Sequence, residues 1–488
     1  MHRPKKRNVP GKVKNLIILL GFAVPIFISF ATKNPEGTSF TGEYYPAEEL
    51  SFIHDLSYQK EGETVQESNI LLAELDLIAN AKEYLILDLF LFNDEYDRAK
   101  GSFPNSVEQI TEALIVKKQE NPEMPIVLIT DPINNFYGAY EQRNITRLKK
   151  EGIQVVLTDL DQMKDSNPLY SGFYRSYLQW FGTQGEGWLP NFFDPTGPKV
   201  HIRSILKLAN LKGNHRKTLV SEKEAIVTSA NPHDPSSYHS NVAVRFRGNV
   251  VGDLIESEKN VIAFSSGQVP EITYQKNQTQ GLDAVTKVAQ ESVMMRLITE
   301  RGIFDALLEN IEGAKEGDAI WIGIFYLSDV PILKALGEAA ERGVQVRIIA
   351  DPNKDAFGIE KNGSPNRPAL CSLVDKHEGV EVRWYNTHGE QYHVKMAYFV
   401  YPEKNEARGI LGSSNFTRRN LEGYNLETDV ELVMAMDATL SVEMKNYFEK
   451  IYYNKDGEYT LPIDDYCETS FMQNILWKIQ ESLGLCSW

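Results

Sequence analysis

The sequence predicts an α/β protein built from two similar α/β sandwich halves. Three observations carry that prediction. The chain has 488 residues, too many for one ordinary hydrophobic core and enough for two domains of about 200 residues with extensions. Hydrophobic residues make up 42% and charged residues 24%, the usage of compact globular domains rather than of disordered chains. Finally, a helix, strand, helix, strand pattern occurs twice, and each copy closes on the same short motifs.

The N-terminus is set apart by charge. Its first 31 residues hold six basic side chains (Arg3, Lys5, Lys6, Arg7, Lys12 and Lys14) and no acidic one. That leaves 45 of the 51 basic residues to face all 67 acidic ones, a balance of −22 against −16 for the whole chain. Such a body repels polyanions at long range, so a nucleic-acid substrate is disfavoured. The apolar run from Leu16 to Ala31 is either an uncleaved anchor or an export signal cleaved after Ala31. In both cases the basic flank stays cytoplasmic and the body lies on the far side of the cell membrane, or is secreted if cleaved. Residues 1–42 are assigned to this region.

The first half, 43–264, begins with helical spacing over Ile70 to Ala81 and a buried-strand pattern from Glu83 to Asp94. A second strand ends at Asp131-Pro132, and a third runs from Ile153 to Leu157. After a polar linker, 265–283, the second half spans 284–455 and repeats the order. There a helix covers Ile303 to Ala314, a strand Asp318 to Asp329, a second strand ends at Asp351-Pro352, and a third covers Val380 to Trp384. An insertion with nine aromatics between Tyr170 and Phe193 breaks the symmetry. Burial as a small satellite core under a long loop is the expectation, with a lip dipping into lipid as the alternative. The tail, 456–488, carries an amphipathic helix over Thr469 to Leu485, expected to dock on the body. Three cysteines match no zinc site; either Cys467 pairs with Cys486 and leaves Cys371 free, or all three are thiols. No metal or cofactor is expected.

The chemistry is concentrated in two places. Of nine histidines, only His215 and His393 stand two residues before a lysine, Lys217 and Lys395. Residues two apart on a strand share a face, which suits joint contact with a phosphate. Downstream lie small polar turns, Thr228-Ser229-Ala230-Asn231 and Gly412-Ser413-Ser414-Asn415, and ten residues beyond each asparagine stand Asn241 and Asn425. A lone His-x-Lys is more often a surface pair. Two copies with matched turns inside a repeat are not explained that way.

These residues resemble the signature of the phospholipase D superfamily: His-x-Lys, an acid five residues on, then Gly-Ser/Gly-x-Asn, present twice. The resemblance covers nearly all of the chain beyond the N-terminal segment. It implies two halves packed about a pseudo-twofold seam, with one active site where both half-sites meet, so that a monomer holds a complete site. It also implies His215 as nucleophile and His393 as general acid and base. Lys217, Lys395, Asn231, Asn415, Ser229 and Ser413 would hold the non-bridging phosphate oxygens. Departures occur at Glu222 and Val400, which stand where the signature has Asp, and at Thr228 in place of Gly. Glu427, twelve residues after Asn415, is expected to orient His393. Its counterpart by that count is Ala243, which leaves Glu222 as the candidate partner of His215. The implied activity is metal-independent cleavage or transfer of phospholipid phosphodiesters, of phospholipase D or cardiolipin synthase type. The alternatives are a nuclease of the same superfamily and a noncatalytic binding protein.

Overall fold

A computed structural model describes residues 11–99, 101–276, 293–356, 359–467, 471–484 and 486. In the first half seven strands form one sheet: β1 (Glu48–Asp55), β2 (Leu85–Leu89), β3 (Ile126–Thr130), β4 (Gln154–Leu157), β5 (Lys217–Ser221), β6 (Glu224–Thr228) and β7 (Asn241–Arg247), in the order β1-β7-β6-β5-β2-β3-β4. The second half supplies β8 (Met294–Thr299), β9 (Ala319–Ile324), β10 (Gln345–Ala350), β11 (Val380–Tyr385), β12 (Lys395–Tyr401), β13 (Glu406–Gly412) and β14 (Thr428–Ala435), in the order β8-β14-β13-β12-β9-β10-β11. Every strand of one sheet thus has its equivalent seven numbers on in the other. The fold class is α/β with two like halves, as the repeat predicts.

The apolar strands β2 and β9 sit mid-sheet, each parallel to one neighbour and antiparallel to the other. Helices cover one face of each sheet, so both faces are buried and the strands read as continuous apolar runs. Helices Asn69–Asn80, Ser106–Glu120 and Arg143–Lys150 cover the outer face of the first sheet, with Ile70, Leu114 and Leu148 in the core. Arg301–Gly313, Val330–Glu341 and Asn366–Val374 do the same for the second. Between the sheets, one core takes residues from both halves, including Ile86, Val220 and Val244 from the first and Met396, Leu411 and Leu432 from the second. Helix Val250–Phe264, which ends the first half, packs on β8, and helix Thr439–Tyr452, which ends the second, packs on β1.

The predicted strands end early, at Leu89 and Ile324, because the chain turns there toward the seam. The matched aspartates beyond them serve different ends. Asp329 caps helix Val330–Glu341 by accepting from the Ile332 N–H at 3.1 Å, whereas Asp94 pairs with Arg143 at 3.1 Å.

Both ends of the chain add to the second sheet. Tyr45–Pro46 pairs with β8, and Thr460–Pro462 with β11, so residues 43–46 belong by hydrogen bonding to the second half rather than to the first. The linker is described only to residue 276; there Lys276 pairs with Asp253 and Tyr274 donates to the Gly248 carbonyl at 2.9 Å. The remainder of the linker, to 283, and the predicted start of the second half, 284–292, lie outside the described residues. Helix Phe471–Ser482 docks on the second half with Trp477 buried.

Two expectations are overturned. The disulfide joins Cys371 to Cys467, with Cys486 free and buried, because β11 and its edge strand bring residue 467 beside helix Asn366–Val374. The aromatic insertion is not a satellite core: Trp180, Phe181, Trp188 and Phe192 are 59–76% exposed.

The 96-residue separation of the bonded cysteines gives a test. Closing so long a loop removes entropy from the unfolded chain, so Cys371→Ser is expected to lower the unfolding free energy by about 4 to 5 kcal/mol. Denaturant titration of both proteins reads this. Equal midpoints would show that the two thiols are not bonded.

Candidate active site

Each His-x-Lys segment is fixed by the same set of contacts. Asp131, at the end of β3, accepts from the Asn214 N–H at 2.7 Å; Asp351, at the end of β10, accepts from the Tyr392 N–H at 2.8 Å. These are the residues preceding His215 and His393. Burial pushes both aspartates up to about 7, against the lowering effect of those N–H donors. Lys217 opens β5 and Lys395 opens β12, and each Nζ donates to the carbonyl of its own histidine at 2.6 Å. Beneath each ammonium lies a phenylalanine ring, Phe90 at 5.0 Å and Phe325 at 5.2 Å, and the same rings flank His215 and His393.

The halves are joined through these segments. Gly213–Asn214 pairs in parallel with Asn425–Leu426, and the His215 N–H donates to the Leu426 carbonyl at 2.9 Å. Symmetrically, Tyr392 bridges to Ser240, and the His393 N–H donates to the Ser240 carbonyl at 2.9 Å. The side chains cross the seam as well. His215 Nδ1 lies 3.0 Å from a Glu427 carboxylate oxygen, while His393 Nδ1 lies 3.0 Å from the Ser229 carbonyl and 3.1 Å from the Asn241 side-chain oxygen. All three partners are acceptors, so both rings carry their proton on Nδ1 and keep the Nε2 lone pair free.

Hydroxyls and a buried cation brace these partners. Ser413 Oγ donates to Glu427, and Ser229 Oγ donates to the Asn241 oxygen at 2.9 Å. Arg216, between His215 and Lys217, is fully buried and reaches across the seam to Glu300 at 2.9 Å; Glu300 in turn accepts the Glu427 N–H.

Burial dominates the electrostatics. It lowers His215 to about 4, opposed by the Glu427 charge, and holds His393 well below the ordinary imidazole value with help from Lys395. Lys217 falls to about 7 and Lys395 well below its usual range, again through burial, with the other lysine adding to the effect on Lys395. For Glu427 burial works upward, but His215, Lys217 and the Ser413 hydroxyl outweigh it and leave a carboxylate. Two lysines so destabilised as cations make a site that gains by taking in an anion.

Of the residues named from the sequence, His215, Lys217, Asn231, His393, Lys395, Asn415, Glu427, Ser229, Ser413 and Asn241 line or brace this one seam, all buried. Asn231 accepts the Leu91 N–H at 3.4 Å. Asn425 serves the pairing with Gly213.

Two assignments are corrected. Glu427 holds His215, not His393, and Glu222 is remote from both, accepting the N–H groups of Lys82 and Glu83 just before β2. Register explains the first. Thr228 pairs with Ala243 and Gly412 with Asp429, so the equivalent of Glu427 is Asn241. The polar loop after Asn415 is two residues longer than the one after Asn231, which shifts any count made from the asparagines.

The departure at Thr228 is also accounted for. A Cβ on Gly412 would stand 2.3 Å from the Thr428 carbonyl and 2.5 Å from Asp429; in the first half Ala243 clears that space, and Thr228 donates its hydroxyl to the Val242 carbonyl at 3.0 Å. Sequence reasoning noted the Asp-Pro pairs but gave Asp131 and Asp351 no task, and it missed Phe90, Phe325, Arg216 and Glu300. The matched positions of both phenylalanines, each the residue after a repeated strand, were a usable signal.

The buried imidazole gives a pH test. Folded His215 binds its proton only near pH 4, while an unfolded histidine does so near about 6.5. Between those values the unfolded chain holds more protons, so stability rises with pH across that window and is flat above it. Denaturation series at pH 4.5, 5.5 and 7.5 should show a weaker acid loss for His215→Gln than for the parent, by up to about 3 kcal/mol at the acid end.

Residues 307–452 match the family model described as "Cardiolipin synthase, PLD-like domain". No curated protein sequence matches the chain. Among solved structures, phosphatidylserine synthase from Haemophilus influenzae Rd KW20 is similar with a TM-score of 0.58 and 10% identity, over 91% of this chain and 95% of that one. At that identity the likeness is one of fold. A polyphosphate kinase from Porphyromonas gingivalis (TM-score 0.42, 12% identity, 89% of this chain and 56% of that one) and Nuc from Salmonella typhimurium, a phospholipase D family member (0.26, 19%, 34% and 97%), are too distant to argue from. The second half thus matches a phospholipase D-like domain model, and the first half shares its topology.

Proposed function

We propose that the protein is a membrane-tethered enzyme that cleaves or transfers phospholipid phosphodiesters through a phosphohistidine on His215. The observation that carries this reading is the pair of imidazoles, each locked at Nδ1 by the opposite half and each beside a buried lysine. His215 Nε2 attacks phosphorus, and the bond to the leaving alcohol breaks as His393, protonated at Nε2 in that complex, gives that oxygen its proton. Water or an acceptor alcohol, deprotonated by His393, then attacks and breaks the phosphorus–nitrogen bond. Lys217, Lys395, Asn231 and Asn415 hold the non-bridging oxygens as negative charge builds. The diester's own charge favours the protonated lysines, reversing the effect of burial. The carboxylate behind His215 stabilises the cationic phosphoimidazole, whereas the neutral acceptors behind His393 leave it readier to release a proton.

The tether is the helix Gly11–Ala31, 21 residues and about 31 Å long, apolar and mostly exposed, which suffices to cross a bilayer. It runs directly into residues that bind the body: Thr32 accepts from the Asp165 N–H, and Asn34 from the Lys164 N–H. An uncleaved anchor is therefore favoured, with the body on the extracytoplasmic side. One chain supplies both half-sites, so a monomer suffices, and the acidic body disfavours nucleic acid.

The test incubates the protein with phosphatidylglycerol, phosphatidylcholine or single-stranded DNA, in chelator, beside His215→Ala, His393→Ala and Glu427→Gln. Lipid turnover is expected, abolished by both alanine variants and lowered about 100-fold or more by the glutamine. Peptide mass spectrometry after an alkaline denaturing quench should find the phosphatidyl adduct on His215. Turnover of DNA alone would transfer the reading to a nuclease, and turnover of nothing to a binding protein.

A further inference from the structure

The insertion between β4 and the His215 segment has no counterpart in the second half, and the proposed chemistry does not use it. It lies against the N-terminal helix. Pro25 lacks an N–H, so the carbonyl four residues earlier, that of Gly21, loses its helical donor. The Tyr177 hydroxyl supplies the replacement at 2.8 Å. In water such a carbonyl is solvated at little cost, but inside hydrocarbon it must be satisfied by protein. Gly172 makes the approach close, since a Cβ there would stand 2.2 Å from the Pro25 carbonyl and 3.0 Å from Ser29. Small residues at the contact and a side-chain hydroxyl bonded to a helix carbonyl are how helices pack within a bilayer.

The outward side suits lipid too. From 168 to 181 the only charged residue is Arg175, and its guanidinium is turned inward to Asp165 at 2.7 Å and to the carbonyls of Asp161 and Met163. Facing out are Trp180, Phe181 and Trp188, each more than 60% exposed. Aromatics of this kind collect at the boundary of headgroups and acyl chains. The insertion then returns toward the candidate site: Phe192 and Phe193 pack edge-on and tilted against Phe136, five residues beyond the Asp131 that clamps the His215 segment, and Asn191 donates to Tyr140 at 3.2 Å.

We propose that residues 168–181 dock along the N-terminal span as a membrane-embedded wedge, with Trp180 and Trp188 in contact with lipid, and so hold the mouth of the site against the bilayer. This rests on reading Gly11–Ala31 as a membrane span, and it deepens the lipid reading without needing turnover for its test.

The full chain is reconstituted in phosphatidylglycerol vesicles with or without brominated acyl chains, and tryptophan emission is compared with that of a Trp180→Phe/Trp188→Phe protein. The difference between the two isolates Trp180 and Trp188. Bromolipid is expected to quench that difference by about half, while aqueous iodide leaves it nearly unchanged. Quenching by iodide and not by bromolipid would overturn the proposal in favour of a solvent-facing loop. Quenching by neither would overturn it in favour of cover by protein, such as a second copy of the chain. Bromolipid quenching without lipid turnover would retain the wedge and remove the enzymatic reading, and turnover without quenching would do the reverse.

Discussion

Two main-chain hydrogen bonds organise the molecule: His215 N–H to the Leu426 carbonyl, and His393 N–H to the Ser240 carbonyl. Each ties a histidine of one half to the backbone of the other. Around them the Nδ1 contacts cross in the same sense, and Arg216 with Glu300 adds a buried charge pair between the halves. A buried ion pair contributes little net stability but is costly to break, so it fixes the relative setting of the sheets more than it strengthens the fold. Neither histidine is held wholly by its own half. The two half-sites are therefore set only where the halves meet.

Within that symmetric frame the two histidines differ in one atom type. Behind His215 stands a carboxylate, and behind His393 stand the Asn241 amide, at the equivalent position, and the Ser229 carbonyl. The neighbouring positions follow suit, with Gly412 opposite Asp429 in one half and Thr228 opposite Ala243 in the other. The duplicated parts therefore differ at the groups that set the proton affinities of two otherwise matched histidines.

The strands and the His, Lys and Asn positions were legible in the sequence because each is a local pattern: an apolar run, a spacing of two, a polar turn. What lay beyond reach depends on distant chain. Glu427 was assigned to His393 because counting along the sequence favours a partner in the same half, whereas the contact crosses the seam. Cys371 met Cys467 rather than Cys486 meeting it because an edge strand, Thr460–Pro462, carries residue 467 back across the second sheet. For the insertion, composition shows that it is aromatic but not which side of it meets solvent. Its exposed rings and the contact of Tyr177 with Gly21 are facts of packing.

The short strand Tyr45–Pro46 lies near the beginning of the chain yet completes the sheet of the second half, against Met294 and Met295. Residues just before it are held the same way: Gly42 donates to the Leu297 carbonyl, and Phe40 and Thr299 exchange bonds. During synthesis this strap emerges first and waits for a partner some 250 residues behind it, which at ribosomal speed is roughly 12 to 50 seconds. Throughout that interval its backbone groups have only water or passing chains to bind. Completion of the second sheet is thus timed by the last half to be made, although one of its edge strands is among the first segments to emerge.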